Sequence, residues 1–265
     1  MIENLEKTIN QLRKKKPLVL NLTNYVTIDF MANSLLALGA APIMSTCFDE
    51  LEELVKLSDA ININIGTLDE TFIEQCIAAV QFTKQYNKPV VLDPVGAGAT
   101  NIRTSAAKNL SHYASIIKGN ASEIIALATD ENQTKGVEST HTTQEAQMSA
   151  ISLAKKNNCV VVVSGAIDFI TDGEKTLEIK DGSSQMTLVT GMGCALTAVI
   201  AAMTTIVNNP FDASVMGTYF FALCGKLAAE SNPGPGSYRT AFIDTLHSFD
   251  FKKMMLKEKE FSNEI

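Results

Sequence analysis

Apolar positions along this chain alternate between two periods. Over residues 1–16, Ile2, Leu5, Ile9 and Leu12 fall three or four apart, the stripe of an amphipathic helix. Arg13 to Lys16 crowd its end, where cations complement the helix dipole, and Pro17 stops it. Leu18-Val19-Leu20 then reads as a short buried strand running into a polar loop over residues 21–25. The same exchange repeats. A helix over 30–38 ends at Gly39, a strand follows at 42–44, and a helix over about 49–57 comes next. In residues 60–65, Ile61, Ile63 and Ile65 alternate with Asn62 and Asn64, and two asparagines on one face are unusual for a buried strand. Asp69 and Glu70 open a further helix. Strands are expected at 89–92, 115–117 and 160–163, with helices over about 102–110 and 146–156 between them. Residues 169–171 and 176–179, joined across Asp172-Gly173, predict a hairpin. A strand-like run at 186–189 precedes helices near 194–207 and 212–230. Pro233 to Gly236 break the chain before a last helix over about 238–247. Residues 129–143 read as a polar surface loop, and the charged tail from Lys252 is expected to fray.

Short apolar strands alternating with helices predict an α/β fold, a mostly parallel sheet with helices on both faces. No internal repeat or long linker divides residues 1–265, so one domain is expected. Ligands of such folds gather at the carboxyl ends of the strands. The polar candidates sit there: Asn21 and Asn24, Met44, Asn64 and Gly66, Asp93, Lys118 and Glu123, Ser164, and Gly191 to Cys194.

Composition narrows the function. The net charge of −7 and the lack of a basic cluster beyond Arg13 to Lys16 argue against a nucleic-acid partner. An anionic ligand would need local backbone geometry, a metal or a few cations. Five scattered cysteines without CxxC spacing argue against a disulfide framework or zinc site. No apolar run reaches membrane-spanning length and the first residues do not resemble a signal peptide, so the expected setting is cytoplasmic, with no membrane partner.

The chemistry centres on Thr190-Gly191-Met192-Gly193-Cys194. Two glycines one residue apart allow a sharp turn and close approach to a ligand. The helix behind them would direct free N–H groups and its positive dipole end at an anion such as phosphate. The same residues also fit a tight turn before a core helix. Asp93 and Glu123 each follow a strand near a glycine-rich turn and could together hold Mg²⁺, directly or through water; equally, Asp93 forms a turn before Pro94 and Glu123 stabilises a helix start. Lys118 could neutralise phosphate or be a surface lysine, and Ser164 could donate to phosphate or cap a turn. Cys194 suits an acid or base at a helix N-terminus. A covalent role lacks a histidine partner, because His112, His141 and His247 fall in no motif.

Taken together, NLTNY at residues 21–25, MANSLLALGAAPIM at 31–44, NIGTL at 64–68, VLDPVGAG at 91–98, KGNASEI at 118–124, VTGMGC at 189–194 and GPG at 234–236 resemble the hydroxyethylthiazole kinase family. The resemblance spans nearly the whole chain, with its motifs in family order. It implies a ribokinase-like three-layer α/β/α fold without a separate lid domain. It also implies ATP- and Mg²⁺-dependent phosphorylation of 4-methyl-5-(2-hydroxyethyl)thiazole in thiamine salvage, in a homotrimer with active sites between subunits. On matching positions, Met44 and Gly191 would contact the thiazole, with Asn24 and Gly66 close by. Lys118 and Ser164 would contact ATP, and the loop holding Gly193 would cradle the phosphoryl group. Asp93 and Glu123 would serve the metal, and Cys194 stands where most of the superfamily has an aspartate base. Lys118 replaces the family's commoner arginine, Ser164 a threonine, and Met192 a smaller residue. Related kinases of pyrimidine or pyridine alcohols, and a nucleotide sensor without turnover, are the competing readings.

Overall fold

The computed structural model describes residues 2–129, 143–230 and 234–255. Its frame is an eight-stranded sheet in the order β2-β1-β3-β4-β5-β6-β7-β8. The strands are β1 (Leu18–Leu22), β2 (Ala41–Ile43), β3 (Ala60–Asn64), β4 (Val90–Asp93), β5 (Ile116–Asn120), β6 (Val160–Ser164), β7 (Asp168–Thr171) and β8 (Thr176–Ile179). The first six pair in parallel, while β7 and β8 form the expected hairpin and pair antiparallel.

The helices are α1 (Ile2–Lys15), α2 (Ile28–Leu38), α3 (Leu51–Leu57), α4 (Glu70–Tyr86), α5 (Asn101–Ser111), α6 (Ala121–Ala128), α7 (Thr143–Asn157), α8 (Met192–Thr204), α9 (Pro210–Ala229) and α10 (Pro235–Ser248). The two-residue period of each strand sorts its side chains between two apolar cores. Val19, Ala60, Val91 and Ile116 join α1, α2, α8, α9 and α10 on one face. Leu20, Ile61, Leu92 and Ile117 join α3 to α7 on the other. The result is three layers, α/β/α.

Three expectations need correction. Residues 186–189 do not form a strand: Ser184–Leu188 is a 3-10 helix, opened by the Ser183 hydroxyl accepting from the Gln185 N–H. The last helix starts earlier than its apolar spacing indicates, because Pro235 occupies the first turn, where a missing N–H does no harm. Residues 251–255 are helical rather than frayed. The expected loop over 129–143 lies, but for its ends, outside the described residues, as do His141, Pro233 and residues 256–265.

Candidate active site

Because β1 to β6 run in parallel, their carboxyl ends deliver the polar candidates to one edge of the sheet. In the middle of that edge lies the start of α8, which packs on β1, β3 and β4. Gly191 is its N-cap, at φ 93°. That left-handed backbone, with Thr27 3.0 Å from where a Cβ would stand, restricts the position to glycine. No side chain caps this end, so the first-turn N–H groups and the dipole face the site.

Against this positive end lies a second positive charge. Lys118 is only 4% exposed, and a Cβ on Gly193 would stand 2.8 Å from its Nζ. The ammonium has the Asp93 carboxylate as a partner, Nζ to Oδ2 at 3.7 Å. Burying an ammonium beside a helix N-terminus is unfavourable unless an anion completes the arrangement. Phosphate is the ligand that both features suit.

Asp93 closes β4 with its side chain on the α8 face. Its Oδ2 accepts from Asn64 Nδ2 at 2.9 Å and from Thr197 Oγ1 of α8 at 2.9 Å. Glu123, in the first turn of α6, completes a capping box with Asn120. Its Oε2 accepts from the Asn120 N–H and its Oε1 from the Gly96 N–H, each at 2.8 Å. Burial, and then the nearby Asp93 charge, push the Glu123 carboxyl upward; the two backbone donors and Lys118 pull against that. A buried carboxyl raised by burial and by a neighbouring carboxylate's charge suits a cation. Among the described residues no group of three or more His, Cys, Asp or Glu could hold one. The donor set therefore fits Mg²⁺, which keeps waters and takes phosphate oxygens, rather than a metal caged by protein alone.

Cys194 sits in the first turn of α8 and is half-buried. Asn24 Nδ2 lies 3.5 Å from its Sγ. Burial raises the thiol above its ordinary range and the Asp93 charge adds to this. Hydrogen bonds from Thr27 and Asn64, and the Lys118 charge, oppose them. The group is a thiol near neutrality, able to orient a hydroxyl and to take its proton only weakly.

The structure thus brings Asn24, Gly66, Asp93, Lys118, Glu123, Gly191, Gly193 and Cys194 to one neighbourhood. Gly66 packs on Asn24, where a Cβ would meet Asn24 Cβ at 3.0 Å. Met44 lies to one side, half-buried just past the edge strand β2. Ser164 lies to the other, ending β6 with its hydroxyl 3.3 Å from the Gly119 carbonyl. From Ser164 a cleft of about 730 Å³ runs past Asp168, Met186, Val189 and Phe221 to Gly191 and Gly193. Sequence reasoning missed two residues here, Arg103 and Thr197. Arg103 of α5 donates to the carbonyls of Ile65, Val95 and Gly66, tying together the loops after β3 and β4. Thr197 and Asn64 hold Asp93. Asn64 was already among the strand-end candidates, as a polar residue inside an apolar strand.

Known proteins resemble this chain in sequence and in fold. The model of the hydroxyethylthiazole kinase family matches residues 9–252. The hydroxyethylthiazole kinase of Chlamydia abortus is 47% identical over 96% of this chain and 98% of its own. The solved hydroxyethylthiazole kinase of Pyrococcus horikoshii OT3 superposes with a TM-score of 0.85 at 35% identity, over 92% of this chain and 93% of that one. An ADP complex of Bacillus subtilis pyridoxal kinase, at 16% identity and TM-score 0.63 over 82% of this chain and 93% of that one, shares the ribokinase-like fold. By sequence and by structure, the chain belongs to the hydroxyethylthiazole kinase family.

Proposed function

We infer that this chain transfers the terminal phosphoryl group of ATP to the primary alcohol of 4-methyl-5-(2-hydroxyethyl)thiazole, the salvage step of thiamine synthesis, as one cytoplasmic kinase domain. The observation that carries the chemistry is the buried Lys118 ammonium against the first turn of α8, one residue from Cys194. Phosphoryl transfer needs positioning and charge neutralisation more than covalent work by the protein. Lys118 and the N–H groups around Gly193 hold the phosphates, where they stabilise the charge that develops in transfer. Ser164 orients the nucleotide, which lies in the cleft running from it. Cys194 orients the alcohol and accepts its proton. Asn24, Gly66 and Gly191 shape the alcohol's side of the centre, with Met44 at its outer margin. Asp93 and Glu123 would hold Mg²⁺, directly or through water. Held there, the metal would supply neutralisation of phosphate charge.

The thiazole side is open. Asn24, Gly66 and Met44 do not line the large cleft. Next to them, Tyr25 and Val26 are 60% and 69% exposed, and Phe48, after β2, is 49% exposed. Large apolar side chains left exposed beside a site suit a surface that another chain covers. This supports a homotrimer in which a neighbouring copy completes each thiazole site. The test is thiazole-dependent ADP release with and without Mg²⁺, beside a panel of pyrimidine and pyridine alcohols. Preference for hydroxyethylthiazole with an absolute Mg²⁺ requirement is expected; preference for another alcohol, or metal-independent turnover, rejects the assignment.

A further inference from the structure

The α8 face of the sheet carries an unusual row of buried polar side chains. Asn21, Asn62, Asn64 and Asp93 stand on neighbouring strands where apolar residues would pack. Asn62 donates to Asn21, and Asn21 to the Val19 carbonyl, while the buried Asn62 Oδ1 has no hydrogen-bond partner among the described residues, so those two make no bond to the reaction centre. Asn64 differs, because it points outward into the reaction centre from both ends of its amide. Its Oδ1 accepts from Asn24 Nδ2 at 2.9 Å and from the Gly66 N–H at 3.0 Å. Its Nδ2 donates to Asp93 Oδ2 at 2.9 Å.

The direction of this chain of bonds is fixed by backbone groups that can only donate. The Gly66 N–H requires Oδ1 of Asn64 on its side, which turns Nδ2 toward Asp93. The Thr27 N–H, 3.0 Å from Asn24 Oδ1, likewise turns the Asn24 Nδ2 toward Asn64 and toward Cys194. Neither amide can flip without setting donor against donor. Charged and titratable groups face this point from every side: Asp93 on β4, Lys118 on β5, Glu123 on α6 and Cys194 on α8.

We propose that Asn64 is a positioning residue for phosphoryl transfer: its single amide locks the Asp93 carboxylate to the Asn24 amide beside Cys194, setting the cation side and the alcohol side of the centre in one register. The proposal rests on the roles given above to Asp93 and Cys194. It follows that the two ends of the amide are separable. Asn64→Asp keeps the acceptor facing Asn24 and Gly66 but puts a second carboxylate against Asp93. Asn64→Ala removes both ends.

The test is steady-state kinetics of both variants against Mg²⁺ and thiazole, with peptide-resolved iodoacetamide alkylation of Cys194 in protein free of metal and nucleotide. Asn64→Asp is expected to lower kcat by about 10- to 100-fold, the usual loss when a partner of a metal-holding carboxylate is removed. It should also raise the Mg²⁺ needed for half-activity while leaving the thiazole KM in place. Asn64→Ala is expected to add a rise in thiazole KM and a changed Cys194 alkylation rate, because Asn24 loses its anchor. A purely structural asparagine would instead lower the melting temperature of both variants and leave the Mg²⁺ requirement, thiazole KM and alkylation rate of the folded protein as in wild type; that result overturns the proposal. Wild type run alongside keeps two failures apart. Wild type without thiazole-dependent ADP release defeats the kinase reading, whereas an active wild type with indifferent Asn64 variants defeats this one.

Discussion

Replacing Gly193 by alanine adds one carbon where the structure places a charge. The new Cβ would stand 2.8 Å from Lys118 Nζ, while ordinary contact begins at 3.4 Å. The ammonium must retreat by the difference, about 0.6 Å, within a nearly closed pocket. The backbone itself has no objection, since residue 193 is helical, and alanine in place of glycine favours a helix by roughly 1 kcal/mol. Stability should therefore hold or rise slightly. Phosphate binding should not. A hydrogen bond to a charged group contributes about 1.5–3 kcal/mol, so misplacing the ammonium predicts a loss of roughly 10- to 150-fold in kcat/KM for ATP. The assay is coupled ADP release over a range of ATP at saturating thiazole, beside thermal denaturation. Gly191→Ala is the contrast: its φ of 93° and the Thr27 contact predict a destabilised protein, by about 1–2 kcal/mol for the left-handed backbone alone. A folded Gly193→Ala protein with wild-type kcat/KM for ATP would refute the phosphate role of Lys118 and the first turn of α8.

Asp168, in the wall of the cleft, has its carboxyl pushed up to about 6, chiefly by burial. The folded state therefore holds this proton more tightly than the unfolded chain, and stability falls as pH rises from about 4 to 6. Asn at 168 keeps an acceptor for the Gly165 N–H, so Asp168→Asn should raise the melting temperature at pH 7 but not at pH 4; equal effects at both would contradict this. Thr218 Oγ1 is buried without a hydrogen-bond partner, so Thr218→Val should stabilise the fold by about 1 kcal/mol in denaturant titrations, and a loss would show that the hydroxyl is paired. Mixing inactive Met44→Asp with inactive Cys194→Ala/Gly193→Val chains, after subunit exchange verified by mass, should restore part of the activity through hybrid sites. No recovery would place each site within one chain.

Much of the fold was legible because its strands are apolar runs and its helices carry capping signals. Asn120 and Glu123 form a capping box, and Asp69 caps α4 by accepting from the Phe72 N–H. Residues 186–189 misled because methionine, threonine, leucine and valine in sequence suit a strand, yet β8 already ends the sheet and its neighbour there is not residue 186–189. With no ladder to join, that segment bonds to itself, and Leu188 is left exposed. Site residues at strand ends could be expected from topology alone. Thr197 and Arg103 could not, since each lies within a helix and acquires its role only when α8 crosses β4 and α5 meets the loops after β3 and β4. Asn62 and Asn64 had looked out of place in a strand, and the polar row on the α8 face accounts for them.

The central claim is that Cys194 faces the reacting alcohol and serves as a weak proton acceptor within a kinase site. Burial, then Asp93, hold its thiol above the ordinary range, so the reactive form becomes commoner as pH rises. A carboxylate at the same position would be ionised near neutrality, even with its own value raised by those neighbours. The decisive measurement is kcat at saturating ATP and thiazole from about pH 6 to 9 for wild type, Cys194→Asp and Cys194→Ala. Wild-type turnover should climb through the alkaline range, Cys194→Asp should match or exceed it at pH 7 and stay flat, and Cys194→Ala should retain slow transfer without a pH slope. Two inactive, folded variants with a phosphocysteine adduct at residue 194 in wild type, or an alkaline slope unchanged in Cys194→Asp, would contradict the account.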